Sequence, residues 1–269
     1  MTAGLGLRPL ANVYECAAEP GWRRIEFISD LHLSENTPRT FEAWSRYLSE
    51  TAADAVFILG DLFEVWVGDD ARLPGSFAQR AADVLQGAAS RRQISFMAGN
   101  RDFLVGAALL RDCGVIALPD PTLLDAWGHR VLLTHGDELC LADTAYQTYR
   151  AEVRTEAWRH AILAKPLAER QQIAREMRDA SEAAKRENFG GNLMAGCADV
   201  DAAGAVSWMH AAGSRTLIHG HTHRPGSEVL APGHTRHVLS DWDVDAAPRR
   251  AEALRLTRDG ITRIDLLLA

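Results

Sequence analysis

The 269-residue chain is poor in cysteine: Cys16, Cys113, Cys140 and Cys197 are widely spaced and form no C-x-x-C pair. That spacing excludes a disulfide framework and predicts reduced, mostly buried thiols in a cytosolic protein. No run of about 18 uncharged apolar residues exists, so hydropathy predicts no transmembrane helix. The first residues lack the charged start and long apolar stretch of a secretory signal. Attachment to a membrane surface stays open, because it needs only a local apolar face. Basic charge is also short: Lys and Arg total 29 against 36 Asp and Glu, a net charge of −7. This balance, without a basic stripe carrying interleaved aromatics, argues against nucleic acid as a partner. A phosphorylated ligand would have to be drawn in by local cations. What the chain does have is 47% hydrophobic and 24% charged residues, enough for one fully cored α/β domain with a substantial insertion.

Short apolar runs of strand length lie at 25–29, 55–59, 94–98, 131–134 and 216–218, with helical patterns between them, as at 41–51 and 77–90. Strands alternating with helices predict a predominantly parallel sheet, whose ligands bind beyond the carboxyl ends of the strands. The segment before Ile25 reads as an extension or a short edge strand. Near the C-terminus, 253–257 and 261–266 alternate apolar and polar residues about Asp259-Gly260, a hairpin signal. It predicts a second, antiparallel sheet packed on the first. From about 142 to 201 strand character fades. Tyr146, Tyr149 and Val153 recur at helical spacing, Pro166 suits a first helical turn, and Ile173, Met177, Ala180 and Ala184 form one stripe. This reads as a helical lid over the strand ends; the alternative is a plain continuation of the α/β alternation.

Each of the five apolar runs is followed by a short polar motif. In order these are Asp30-Leu31-His32, Gly60-Asp61, Gly99-Asn100-Arg101-Asp102, His135-Gly136-Asp137 and Gly220-His221-Thr222-His223. Asp30 and Asp61 supply carboxylates, Asn100 a neutral carbonyl oxygen, and His32, His135, His221 and His223 imidazole nitrogens. Alone, any of these is an ordinary turn residue or satisfied polar group, as we read His129, His160, His210, His219, His234 and His237. Together, from five strand ends, they are the ligand set of a two-metal site. Two divalent cations against two carboxylates leave a charge of about +2, which attracts phosphate and lowers the pKa of a bound water. Imidazole, carboxylate and amide ligands without thiolate favour Mn, Fe or Zn over Ca.

The order and content of the motifs resemble the calcineurin-like metallophosphoesterase superfamily. The resemblance implies an α/β fold, a sandwich of two mixed sheets flanked by helices. It takes residues 1–24 as an N-terminal extension and 25–269 as the metallophosphoesterase domain, with a helical lid insertion at about 142–201. It also implies one metal on Asp30, His32, Asp61 and His223 and another on Asp61, Asn100, His135 and His221. Most of the superfamily has His after the Asn of the third motif; here Arg101 stands there. A permanent cation cannot serve as a general acid, but it can hold phosphate oxygens bidentately. Superfamily members acting on soluble nucleotides, cyclic or dinucleoside polyphosphates, are the alternative reading, and they should carry that His.

Arg101 and the long run Gly60-Asp61-Leu62-Phe63-Glu64-Val65-Trp66-Val67-Gly68-Asp69-Asp70 are similar to the UDP-2,3-diacylglucosamine hydrolase family of lipid A biosynthesis. The resemblance extends over about 25–225. It implies two Mn2+, hydrolysis of the pyrophosphate to UMP and 2,3-diacylglucosamine 1-phosphate, and a peripheral place on the inner face of the inner membrane. The partners it implies are the acylated sugar-nucleotide lipid and the membrane surface, with no obligate protein partner. Water would attack the phosphorus bearing uridine directly, with Asn100, Arg101 and His221 catalytic and also touching substrate. In the lid, Asp143, Tyr146 and Ser181 match family substrate contacts by local context. Lys185 and Asn188 occupy the remaining two contact positions with the residue types exchanged. Asp143 also has a simpler reading as a helix N-cap. Ser181, Lys185 and Asn188 share a helical face beside the apolar stripe, a combination suited to a sugar nucleotide bearing acyl chains.

Overall fold

The computed structural model describes residue 10, residues 13–189 and residues 198–268, with the backbone alone for 179–189. Twelve strands among the described residues form two six-stranded sheets. One has the order β12-β11-β2-β3-β4-β5, built from β2 (Ile25–Ile28), β3 (Ala55–Leu59), β4 (Gln93–Met97), β5 (Ile116–Leu118), β11 (Glu252–Thr257) and β12 (Gly260–Asp265). The other has the order β1-β6-β7-β8-β10-β9, built from β1 (Tyr14–Ala17), β6 (Thr122–Ala126), β7 (His129–Thr134), β8 (Thr216–His219), β9 (Gly226–Ala231) and β10 (His234–Val238).

The period-two alternation of each strand builds the layers. Phe27, Phe57, Leu59, Met97, Val131, Leu133, Ile218 and Leu254 meet in one cluster between the sheets. The opposite faces of β2–β4, with Val56, Ile58, Ile94 and Phe96, pack on α1 (Pro38–Glu50), α2 (Phe77–Ala89) and α3 (Ala107–Cys113) through Trp44, Leu48, Leu85 and Leu109. Leu123, Leu132 and Leu217 on the second sheet pack on Trp208 and Met209 of α7 (Ala202–Ala212). The result is a helix/sheet/sheet/helix sandwich. It explains why the motif strands read as unbroken apolar runs: each is covered on both faces.

Two expectations are corrected. The five motif strands do not share one sheet: β2, β3 and β4 run parallel in the first, β7 and β8 parallel in the second. The C-terminal hairpin does not begin a second sheet either; β11 pairs antiparallel with β2 and extends the first. Of the two readings of the N-terminal segment, Tyr14–Ala17 forms an edge strand, pairing parallel with β6.

Between β7 and α7 the described α-helices are α4 (Thr144–Val153), α5 (Glu156–Leu163) and α6 (Leu167–Phe189). Asp143 caps α4, accepting a 3.0 Å hydrogen bond from the Tyr146 N–H, and Thr155 caps α5. Ile173 and Met177 of α6 rest against the core cluster beneath, beside Tyr149 and Trp158. Ala180 and Ala184, the rest of that stripe, and Cys197 lie outside the described side chains. Cys16, Cys113 and Cys140 are free thiols. No helix among the described residues is long and apolar enough to cross a membrane.

Candidate metal centre

Because β2, β3, β4, β7 and β8 end at the same edge of the sandwich, the five motif loops meet there. Their backbones are bent sharply to do so. Six non-glycine residues among those described have φ in the left-handed region. Five of them are Asp30 (55°), His32 (48°), Asp61 (51°), His221 (66°) and His223 (52°). Each such residue costs of order 1–3 kcal/mol, and strain of this kind persists where the surroundings dictate it, commonly at functional sites. Gly99 shows how closely the loops approach. A Cβ there would lie 2.1 Å from Asp61 Oδ1 and 2.4 Å from Asp61 N, so only glycine fits.

All seven expected ligands come together. Ligand atoms of Asp30, His32 and His223 lie within 4.8 Å of one another, as do those of Asp30, Asp61 and His135. His32 Nε2 and His223 Nε2 face each other at 3.1 Å, and His223 Nε2 is 3.4 Å from Asp30 Oδ1. Asp61 spans both halves, with Oδ2 4.0 Å from His32 Nε2 and Oδ1 3.7 Å from His135 Nε2. Asn100 Oδ1 sits 2.9 Å from His135 Nε2 and 2.7 Å from His221 Nδ1. The His135 ring is oriented from behind: its Nδ1 lies 2.9 Å from the Leu59 carbonyl, so Nδ1–H donates there and Nε2 points into the cluster. Asp30 is held by the His221 N–H, which donates to both carboxylate oxygens, and by the Ser29 hydroxyl.

The donor set fits divalent metal. Imidazole nitrogens facing one another and carboxylate and amide oxygens are borderline-to-hard donors, with no thiolate among them. The electrostatics agree. Burial would lower the His135 pKa, but Asp61, Asp30 and Asp137 outweigh it and push it up to about 9. Burial raises Asp30, yet His223, His135 and His32 hold it below the ordinary carboxylate range. His221 is pushed down to about 3 by burial and by His135. The buried carboxylates thus favour positive charge at His135, while burial disfavours it at His221.

Arg101 lies at the rim. Its N–H donates to Asp61 Oδ1 at 2.8 Å, and its guanidinium is 3.8 Å from Glu64 Oε1. Tyr146 lies against the cluster, its ring stacked on His221 with centroids 6.0 Å apart. Asp143 instead caps α4. The side chains of Ser181, Lys185 and Asn188 lie outside the described residues; their backbones belong to α6.

Sequence reasoning missed several supporting groups. The buried Asp102 carboxylate accepts from the Gly99 and Leu62 N–H groups at 2.8 Å and from those of Asp61 and Phe63 at 3.3 Å, joining the second and third motif loops. Burial and the nearby Asp61 carboxylate raise its pKa to about 7. Glu64 Oε2 lies 3.2 Å from His32 Nδ1, and Glu64 Oε1 3.3 Å from the Arg178 guanidinium. Arg154 donates to the Gly99 carbonyl at 2.8 Å. Asp102 sits inside a recognised motif and Glu64 in the long second one, so a signal existed; Arg154 had none.

Residues 23–225 match the calcineurin-like phosphoesterase family, and the chain belongs to it. The chain is accordingly a hydrolase. Curated relatives narrow the likeness. A UDP-2,3-diacylglucosamine hydrolase of Chromobacterium violaceum is 44% identical over 225 residues, covering 81% of this chain and 90% of that protein. One from Xanthomonas axonopodis pv. citri is 42% identical over 250 residues, covering 90% and 98%. One from Aromatoleum aromaticum is 44% identical over 226 residues, covering 82% and 89%.

Proposed function

We propose that this chain hydrolyses the pyrophosphate bond of UDP-2,3-diacylglucosamine, giving UMP and 2,3-diacylglucosamine 1-phosphate in lipid A biosynthesis, while docked on the inner face of the cytoplasmic membrane. The observation that carries the chemistry is the convergence of His32, His135, His221 and His223 on Asp30, Asp61 and Asn100 within one cluster. The relatives' shared name supports the substrate.

In this reading Asp30, His32, Asp61 and His223 would hold one Mn2+, and Asp61, Asn100, His135 and His221 the other. Such a pair supplies Lewis-acid polarisation of the phosphate and a nucleophilic water at neutral pH. Asn100 orients a phosphate oxygen beside the ligands. Arg101, at the rim, offers a planar fork for phosphate oxygens and stays charged throughout. Water attacks the phosphorus bearing uridine and the sugar phosphate leaves, so no residue of the chain forms a covalent intermediate. Asp143, Tyr146, Ser181, Lys185 and Asn188 would be the contacts to the sugar nucleotide and its acyl chains.

The test is incubation with UDP-2,3-diacylglucosamine and Mn2+, followed by assay for UMP, with the deacylated sugar nucleotide as control. UMP from the acylated substrate and little from the control is the expected result. No UMP from the acylated substrate overturns the reading.

A further inference from the structure

Asp137 belongs to the fourth motif, yet neither the ligand set nor the substrate contacts use it. Its side chain is wholly buried. Oδ2 accepts from the Tyr146 hydroxyl at 2.6 Å and from Arg150 Nε at 2.9 Å, and lies 3.6 Å from Arg154 Nη2. Its backbone carbonyl accepts from Gln147 Nε2 at 2.8 Å. These four partners come from one side of α4 and its C-cap residue, with Tyr146, Arg150 and Arg154 at successive i, i+4 positions. The opposing charge of Arg150, and those of His135 and Arg154, hold the buried carboxylate well below the ordinary range despite its desolvation. The same helix face places the Tyr146 ring on His221 and the Arg154 guanidinium on the Gly99 carbonyl, next to Asn100.

We propose that Asp137 is a positioning residue that fixes α4 to the metal centre, so that Tyr146 holds the His221 imidazole and Arg154 holds the Asn100 loop in place. The first helix of the insertion is then a fixed wall of the site. This rests on the metal assignment above for one half of its consequence: the half of the site containing Asn100, His135 and His221 depends on Asp137, and the half containing His32 and His223 does not. Partners that orient metal ligands from behind commonly change affinity or activity about 10- to 100-fold when removed.

The test compares the whole chain with Asp137→Asn and Tyr146→Phe variants in two measurements. Hydrogen exchange without metal follows the amides of α4, and Mn2+ titration by electron paramagnetic resonance reads the two sites separately. Asp137→Asn should speed α4 exchange at least about tenfold, the loss expected for one charge-assisted hydrogen bond, and leave β2–β4 amides unchanged. It should weaken one Mn2+ site about tenfold or more and spare the other. Tyr146→Phe, which removes only the hydroxyl, should weaken the same site and decides the matter if Asp137→Asn fails to fold. Unchanged α4 exchange, unchanged affinity at both sites, or equal weakening of both overturns the proposal. A wild-type chain that binds no Mn2+ refutes the metal assignment instead, and the exchange measurement still tests the anchoring of α4.

Discussion

Replacing Arg170 with Met should loosen α6 without touching a proposed metal ligand. Arg170 is 3% exposed although most of the described side chains around it on α6 are exposed or half-buried. Its Nε donates to the Lys165 carbonyl at 3.0 Å, Nη1 to the Val67 carbonyl and to Asp70 Oδ1 (2.8 Å), and Nη2 to Asp70 Oδ2. The loop bends to admit it: Gly68 has φ 130°, and a Cβ there would lie 2.2 Å from Arg170 Nη1. The Asp70 side chain is 60% exposed, so the ion pair itself contributes little. The two hydrogen bonds from a charged donor to backbone carbonyls contribute roughly 1.5–3 kcal/mol each, so about 3 kcal/mol is a conservative sum. Met fills the space but makes neither bond. At 1.4 kcal/mol per factor of ten, about 3 kcal/mol sets a limit near 100-fold on how far α6 shifts from its docked position. Ile173 and Met177 still hold the helix in part, so KM for the acylated substrate should rise at least about tenfold, with Mn2+ content unchanged. Steady-state kinetics and metal analysis on the same preparation decide it. A KM within about twofold of the unaltered chain, or a parallel loss of metal, refutes the reasoning.

Acid should loosen the same anchor. Hydrogen bonds from Arg170 lower the Asp70 pKa below its unfolded value, so the pairing contributes fully above about pH 4 and is lost as pH falls through the lower folded value. The protection of α6 amides, measured relative to their intrinsic exchange rate, should therefore fall only slightly on acidification, because the pair is exposed, and Arg170→Met should remove that dependence. Asp61→Ala should abolish UMP release and Mn2+ binding together; activity with both metals still bound would contradict its bridging place. Arg101→Ala should impair kcat/KM while two Mn2+ remain bound, and loss of metal would make Arg101 structural.

The strand Ala55–Leu59 and the ends of all five motif strands were legible, because short apolar runs stopped by Gly and Asp are local signals. The division of those strands between two sheets was not. Ile25–Ile28 and Thr216–His219 are both buried on two faces, and periodicity is blind to which neighbour a strand pairs with. The hairpin about Asp259-Gly260 was visible for the same local reason, whereas its pairing with β2 across more than two hundred residues was not. The seven proposed ligands could be named because their residue types recur at strand ends. The partners that hold them in place, such as Asp102 across two loops and Asp137 beneath α4, act through contacts that only the folded chain brings about. The long second motif now has a physical account. Asp69 accepts from the Gly106 and Leu109 N–H groups at the start of α3, while Gly68 and Asp70 receive Arg170.

The central claim is that water attacks the phosphorus next to uridine in the acylated sugar nucleotide. Turnover of UDP-2,3-diacylglucosamine with Mn2+ in oxygen-18 water, with mass spectrometry of both products, tests it most directly. The account predicts one labelled oxygen in UMP and none in the diacylglucosamine 1-phosphate. Label in the sugar phosphate, or no UMP at all, would contradict it.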